Sequence, residues 1–300
     1  MEKITQFVEN NLGLSTVIFC FAGLAFPYGA WIPDETIIAT LAILMFLSCF
    51  KITEPLRGVF SVKPVVYCLL RYAVLPVLLW AACREFAPTF ALGVLLLALC
   101  PAATSAAAFS GIYKGNVALT LAITIISSLA SIFLIPATIG ALQHQTIAVP
   151  ALAMLKTLSL CILLPGGLYL LLRDREFLKN YSQSHGRFTS VVLVSLMVFV
   201  AMSKTRDYFL VNPQDLILPL FIAAGFYALA MFLSFSIRAS RQDRIAYGVS
   251  SAFNNGLLGT GLAVLYFDER TIAVIVAANL IWTFLPAFAQ PVIKRLQARG

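Results

Sequence analysis

The sequence predicts an all-α integral membrane protein with ten transmembrane helices, arranged as two inverted repeats of five helices each. The first observation is composition, since 60% of the 300 residues are hydrophobic and only 11% are charged, as is typical of a chain that lies in lipid. The second is that long apolar segments recur along the whole chain. The third is that two of these segments, one in each half, contain residues that disfavour a smooth helix, a pattern typical of secondary transporters.

Ten apolar segments have lengths close to what a helix needs to cross a bilayer core of roughly 30 Å. Their connections leave no room for a soluble domain, so residues 1–300 are predicted to form a single membrane transport domain. The predicted spans are 12–31, 36–50, 64–82, 88–112, 116–142, 149–172, 188–204, 213–237, 244–266 and 271–292.

The distribution of lysine and arginine predicts that both termini are cytoplasmic and that the protein lies in the plasma (inner) membrane, because basic residues concentrate on the cytoplasmic side of membrane proteins. An odd number of helices in each half would place the two halves in opposite orientations. The cytoplasmic set is Lys3, Lys51, Arg57, Lys63, Lys114, Arg173, Arg175, Lys179, Arg187, Arg238, Arg241, Arg244, Lys294, Arg295 and Arg299, and the outer set is Arg84, Lys204, Arg206 and Arg270.

The helix breaks are predicted at 100–105 and at 253–256. Unpaired backbone groups are tolerated at membrane depth only beside protein or a water-filled cavity. At 1.5 Å per residue, Pro101 lies roughly 20 Å into the fourth span and Asn254 roughly 15 Å into the ninth, so both breaks can meet near the bilayer centre. The alternatives are a plain kink at Pro101 and a role of Asn254-Asn255 as a pair that hydrogen-bonds to neighbouring helices.

A new half-helix is predicted to begin after each break, capped by Thr104 and Ser105 in one span and by Asn255 in the other. Amides at such N-termini favour anions, whereas the carbonyls left by the preceding half-helix favour cations. The predicted substrate is therefore an anion, and the family resemblance described below implies a small organic one. The residues predicted to bind it are Thr104, Ser105, Asn254, Asn255 and Arg71.

Four segments together resemble the bile acid/sodium symporter family: Cys100–Thr104, Lys114–Thr120, Asn254–Gly256 and Leu262–Ala263. Similarity to the family is concentrated at about 100–136 and 245–266. The resemblance implies a panel domain (about 12–50 and 149–204) and a core domain (about 64–142 and 213–292) that contains the crossed fourth and ninth helices. It also implies alternating-access transport of organic anions in symport with sodium.

The sequence departs from that family where the resemblance implies sodium ligands. Thr120 and Thr124 match hydroxyl ligands, and Ser250 and Asn254 stand at two further ligand positions. Where the family has a Ser-Asn pair, this chain has Ala106-Ala107. Ser250 replaces the family's acidic residue, and Asn254 replaces the Gln of its Gln-Asn pair. The Gln expected five residues before Pro76 is Arg71. Sodium is therefore a doubtful coupling ion, and no other cofactor or metal is predicted.

Arg71 lies roughly 12 Å inside the third predicted span, and no Asp or Glu lies deep in any span. A guanidinium at that depth needs a partner or water. We hypothesise that it takes the electrostatic role of one sodium ion, hydrogen-bonded to Asn254 and to carbonyls near the second break. The alternative is an Arg71 side chain that snorkels to the cytoplasmic edge.

Other function classes fit the sequence less well. The predicted spans hold no His or carboxylate to serve as a catalytic base, so an intramembrane enzyme is not expected. The net charge of +8 is scattered over many loops, which favours the lipid bilayer surface over nucleic acid as a partner. No obligate protein partner is evident. A proton-coupled, exchange or uniport carrier, and a non-transporting sensor on the same fold, stay open as alternatives.

Overall fold

A computed structural model describes the backbone of residues 12–50, 61–143 and 150–298. In these ranges the regular elements are helices, together with one isolated β-bridge between Ala102 and Asn254. The predicted cytoplasmic termini and the basic loop residues Lys51 and Arg57 lie outside the described residues. The helices are α1 (Leu12–Ala25), α2 (Asp34–Cys49), α3 (Val62–Phe86), α4 (Ala91–Leu99), α5 (Ser105–Ile112), α6 (Val117–Gln143), α7 (Ala151–Leu172), α8 (Glu176–Ser184), α9 (Gly186–Lys204), α10 (Arg206–Val211), α11 (Gln214–Phe235), α12 (Arg241–Ala252), α13 (Gly256–Tyr266) and α14 (Glu269–Ala298).

Six helices in the described part of the chain are long and apolar enough to cross a membrane, judged by length and composition. They are α3, α6, α7, α9, α11 and the segment Glu269–Pro286 of α14. Shorter apolar helices lie at Gly13–Ala25, Pro88–Leu99 and Gly256–Tyr266, within three other predicted spans. The chain is therefore a multi-pass, all-helical membrane protein.

The first predicted span is not one continuous helix. The α-helix ends at Ala25, and a 3-10 helix follows over Pro27–Trp31. Phe26, between them, has extended backbone angles (φ −122°, ψ 124°). Proline disfavours the helical region for the residue before it, and this effect of Pro27 explains why the α-helix does not continue to residue 31.

Helix α3 contains a π-helical turn that the sequence analysis did not predict. The turn covers Leu70–Val74, and the Leu75 N–H donates to the Leu70 carbonyl. Pro76 lies two residues after the turn and has no N–H to donate to the preceding turn. Such turns are frequent at functional sites, and here the turn contains Arg71.

Helix α4 lies at the centre of the fold. Each of its nine residues is buried, as expected for a helix that is hydrophobic on all sides and surrounded by other helices. It packs against α3, α6 and α14. Elsewhere α1 packs against α9, α2 against α7, and α11 against both α12 and α14.

Both predicted helix breaks are present. Helix α4 ends at Leu99 and α5 begins at Ser105, while α12 ends at Ala252 and α13 begins at Gly256. The alternative of a plain kink at Pro101 is wrong, because a kinked helix would continue through the non-helical residues that separate α4 from α5.

Candidate functional site

The two breaks are joined to each other by backbone hydrogen bonds. The Ala103 N–H donates to the Phe253 carbonyl, and the Asn255 N–H donates to the Pro101 carbonyl, each at 2.7 Å. The Ala102 N–H donates to Ser127 Oγ of α6 at 3.2 Å. Backbone groups that would be costly to leave unpaired in lipid are thus satisfied within the protein.

Arg71 lies on the side of this crossing where α4 and α12 end. Its Nε donates to Ser251 Oγ at 2.7 Å, and Nη2 donates to the Ser251 carbonyl at 2.9 Å. Its Nη1 donates to the Ala98 carbonyl at 3.0 Å, and Nη2 also reaches Asn254 Oδ1 at 3.4 Å. The guanidinium therefore binds the last turns of both half-helices at once.

The charge of Arg71 is balanced by dipoles and aromatic rings. Carbonyls at the C-terminal end of a helix carry partial negative charge, and two such ends face the guanidinium. The Arg71 Cζ also lies 4.7 Å from the ring centroid of Tyr72 and 5.3 Å from that of Phe226, within cation–π range. Arg71 is 3% exposed, so the alternative that it snorkels to the membrane edge is wrong.

Asn254 connects the broken helices through its side chain. Its Nδ2 donates to the Leu97 carbonyl at 3.0 Å, while its Oδ1 accepts from Arg71. The residue is 1% exposed. Both ends of the amide are therefore already occupied, which leaves it little capacity to bind a substrate directly.

A cavity of about 290 Å³ lies on the other side of the crossing, where α5 and α13 begin. Thr104, Ser105, Asn254 and Asn255 line it, whereas Arg71 does not. The remaining lining residues come mainly from α1, α2, α9 and α14: Thr16, Leu44, Met45, Ser48, Ala103, Phe109, Arg187, Ser190, Val191, Val194, Gly256, Leu257, Asn279, Trp282 and Thr283.

The N-terminus of α5 is left uncapped by its own side chains. Thr104 occupies the N-cap position but makes no capping hydrogen bond, and neither Thr104 nor Ser105 uses its hydroxyl to bond another described residue. The predicted cap is therefore wrong for α5. In α13 it is present, because Asn255 Oδ1 accepts from the Leu258 N–H at 3.2 Å.

Asn279 of α14 is a cavity residue that the sequence analysis missed. Its Nδ2 donates to Thr260 Oγ1 at 2.7 Å. A Cβ on Gly256 would lie 1.9 Å from Asn279 Oδ1, so the Asn279 side chain packs directly against the start of α13. A polar residue inside an apolar span was the signal that could have identified Asn279.

Arg187, the second residue of α9, is the charged residue among those that line the cavity. It is exposed and makes no ion pair or side-chain hydrogen bond within the described part of the chain. From the sequence alone, Arg187 was predicted only to be a cytoplasmic loop charge. Its position next to the end of a predicted span gave no indication that it lines the cavity.

The hydroxyls matched to sodium ligands lie outside the cavity. Thr120 Oγ1 donates to the Asn116 carbonyl at 3.0 Å, and Thr124 Oγ1 donates to the Thr120 carbonyl at 2.9 Å. The Ser250 hydroxyl is fully buried and has no partner among the described residues. These residues belong to α6 and α12, which pack through Ile123, Leu119 and Tyr247.

Hydrogen bonds tie α7 to α13 at the end of α13 away from the crossing. The Tyr266 hydroxyl lies 2.6 Å from Thr157 Oγ1 and 3.2 Å from the Ala153 carbonyl.

Tyr208 of α10 belongs to a second set of contacts, in which it donates to Asp215 and Asp215 accepts from Arg270 Nε at 3.2 Å. Burial, followed by the bond to Asp215, raises the pKa of Tyr208. The phenol therefore remains a donor at neutral pH.

Comparison with known proteins identifies the family. Residues 38–212 match the Sodium Bile acid symporter family. The chain is 25% identical to the "Probable sodium/metabolite cotransporter BASS1, chloroplastic" of Arabidopsis thaliana over 94% of this chain and 72% of that protein. It is 22% identical to the "Uncharacterized sodium-dependent transporter YocS" of Bacillus subtilis (strain 168), over 99% of this chain and 96% of that protein. The chain thus belongs to the Sodium Bile acid symporter family, whose members are membrane transporters and not enzymes.

Proposed function

We propose that this protein is a secondary transporter that moves a small organic anion by alternating access around the crossing of its two broken helices. The observation that carries the proposal is the cavity at the start of α5 and α13. A cavity of about 290 Å³ is at the small end of ligand pockets, roughly 300–1,000 Å³. A small substrate fits such a site better than a bulky one.

The proposed topology has ten crossings in two inverted repeats. Six helices are long enough alone, and we assign the other four crossings to α1 with its 3-10 extension, α2, α4 with α5, and α12 with α13. In this arrangement the broken spans take equivalent ranks, fourth and ninth. The basic residue distribution supports termini in the cytoplasm of a cell whose plasma membrane holds the protein.

Two groups of helices are proposed to move against each other. The panel comprises α1, α2, α7 and α9, and the core comprises α3–α6 and α11–α14. Cavity walls come from both groups, for example Met45 and Val191 from the panel and Thr104 and Asn255 from the core. The Tyr266–Thr157 hydrogen bond joins the two groups beyond the crossing. We propose that the cavity is reached from the end that carries Arg187, which lines it.

Electrostatics favours an anionic substrate. Two helix N-termini adjoin the cavity, and N–H groups at such ends favour negative charge. Arg187 adds a full positive charge, and no carboxylate is found among the described residues that line the cavity. Apolar side chains such as Leu44, Phe109 and Trp282 would contact the rest of the substrate.

Transport in proteoliposomes tests the proposal. Reconstituted full-length protein is offered a panel of labelled carboxylates and sulfonates, from acetate and 2-oxo acids to taurine. Saturable uptake of at least one anion is expected. Arg187→Gln should weaken its apparent affinity about tenfold, because a charge-assisted hydrogen bond is lost.

Arg175→Gln is the matched control, since Arg175 is exposed at the start of α8 and does not line the cavity. Binding without flux would favour the sensor alternative, and saturable uptake of cations but of no anion would refute the proposal.

A further inference from the structure

We infer that the Arg71 guanidinium is the permanent cation of the helix crossing, so that the carrier works without a dissociable cation at this position. The inference rests on the proposed transport function and specifies how its site is charged. The relatives' names refer to sodium, so the inference predicts that this chain differs from them in ion coupling.

Arg71 donates hydrogen bonds to the oxygen atoms that a bound cation would need as ligands. Four oxygens converge on the guanidinium at 2.7–3.4 Å: the Ala98 carbonyl, the Ser251 carbonyl and hydroxyl, and Asn254 Oδ1. Hard cations are bound in proteins by such carbonyl, amide and hydroxyl oxygens. A second cation in the same place would be repelled by the guanidinium. It would also find oxygens that already accept hydrogen bonds from Arg71.

The ends of α4 and α12 need the positive charge of Arg71. Two helix C-termini point at the same buried position, and their partial negative charges would repel each other there. None of the ion pairs in the described part of the chain involves Arg71. Its positive charge instead interacts with these helix dipoles and with two aromatic rings. Arg71 therefore supplies the positive charge that holds these two helix ends together.

The local structure of α3 positions the Arg71 side chain. It lies in the π-helical turn of α3, which alters the direction of side chains relative to a regular α-helix. Next to it, the Tyr72 hydroxyl donates to the Ser250 carbonyl at 2.7 Å. Two neighbouring side chains of the turn, Arg71 and Tyr72, thus bind the last turn of α12.

Thermal unfolding in detergent tests the inference without needing a substrate. The melting temperature of the full-length wild type is measured in sodium chloride and in choline chloride at equal ionic strength. We expect the two values to agree within about 1 °C. A sodium-dependent rise that saturates, with no rise in choline, overturns the inference.

Variants of Arg71 provide the second measurement. Arg71→Gln should lower the melting temperature by about 5 °C or more in choline, because buried carbonyls lose charge-assisted hydrogen bonds. Arg71→Lys keeps the charge but loses the planar guanidinium that donates several hydrogen bonds at once. Its melting temperature should lie between those of Arg71→Gln and wild type. Arg84→Gln is the matched control, because Arg84 lies on the same helix over the Trp80 ring (4.8 Å) and away from the crossing.

An unchanged melting temperature for Arg71→Gln contradicts the inference. If Arg71→Gln does not fold, the sodium and choline comparison on wild type and Arg71→Lys still decides it.

Flux measurements address the same inference through charge. With a fixed cation, one transport cycle moves only the substrate anion, so an inside-positive potential set with valinomycin and potassium should increase uptake severalfold. Increased uptake at inside-negative potential, the sign expected when two or more cations accompany each monovalent anion, overturns the inference. Absence of flux for every anion would refute the proposed transport function, but the melting measurements would still test the role of Arg71.

Discussion

The two sides of the helix crossing differ in how their polar groups are used. Where α4 and α12 end, Arg71 and Asn254 bond to the terminal carbonyls, and both residues are almost completely buried. Where α5 and α13 begin, the hydroxyls of Thr104 and Ser105 have no described partner and face a cavity. One side is closed by the protein's own groups, and the other leaves groups for a ligand.

This difference shows that a broken helix creates two unlike sites. The carbonyl side needs positive charge and the amide side needs negative charge. In this protein a side chain of α3 provides positive charge on the carbonyl side. Under the proposed function an anionic substrate binds and leaves on the amide side, and substitutions on the two sides should have different consequences.

The largest effect on stability is expected on the carbonyl side. Asn254→Ala leaves the Leu97 carbonyl without its donor and removes one acceptor from Arg71. We expect the free energy of unfolding to fall by about 2 kcal/mol, the cost of leaving a buried polar group unsatisfied. Thermal unfolding of the purified protein measures it.

Asn255→Ala is the matched control for that prediction. It removes an N-cap, which costs about 1 kcal/mol, and a weak contact of Asn255 Nδ2 with Met45 Sδ at 3.6 Å. An equal or larger loss of stability for Asn255→Ala would contradict the assignment of the two sides.

A smaller effect is expected beyond the crossing, where the cavity does not extend. Tyr266→Phe removes the hydroxyl that bonds Thr157 and the Ala153 carbonyl, and should lower the free energy of unfolding by about 1 kcal/mol. Combination with Thr157→Val should add little, since both changes remove the same hydrogen bond.

Tyr181→Phe is the control, because Tyr181 makes a comparable bond to Thr189 at an exposed position and should change stability by less than about 0.5 kcal/mol. Fully additive losses for Tyr266→Phe and Thr157→Val would show that the two hydroxyls act independently.

The smallest effect on stability is expected on the amide side. Thr104→Val and Ser105→Ala remove hydroxyls that bond no other described residue, and each should change the free energy of unfolding by less than about 0.5 kcal/mol. The affinity for the transported anion should instead fall about threefold to tenfold, the value of one hydrogen bond. Substrate-dependent uptake measures the affinity.

Ser131→Ala serves as the control for the amide side, because the Ser131 hydroxyl bonds the Ser128 carbonyl within α6 and does not line the cavity. Unchanged anion affinity in both amide-side variants would contradict the role proposed for these hydroxyls.

Local sequence predicted the breaks well, and their partners only in part. Pro101 and the run from Asn254 to Gly256 disfavour helix through their own covalent structure, so their effect could be read without neighbours. The hypothesis that Arg71 bonds Asn254 and carbonyls near the second break is confirmed. Its bond to the Ala98 carbonyl at the first break was not predicted, because that bond joins atoms whose proximity depends on helix packing. The predicted continuity of the first span was also wrong, since the effect of Pro27 was overlooked.

By itself the sequence determined that this protein is helical, lies in a membrane and carries an interruption in one span of each half, because hydrophobicity and backbone preference belong to each segment separately. Only the tertiary structure decided that Arg187 points to the cavity, that the Thr104 hydroxyl stays free and that Arg71 holds two helix ends together. The reason is physical: hydrogen bonds and electrostatic interactions depend on distances between segments, and these distances exist only once the helices have packed.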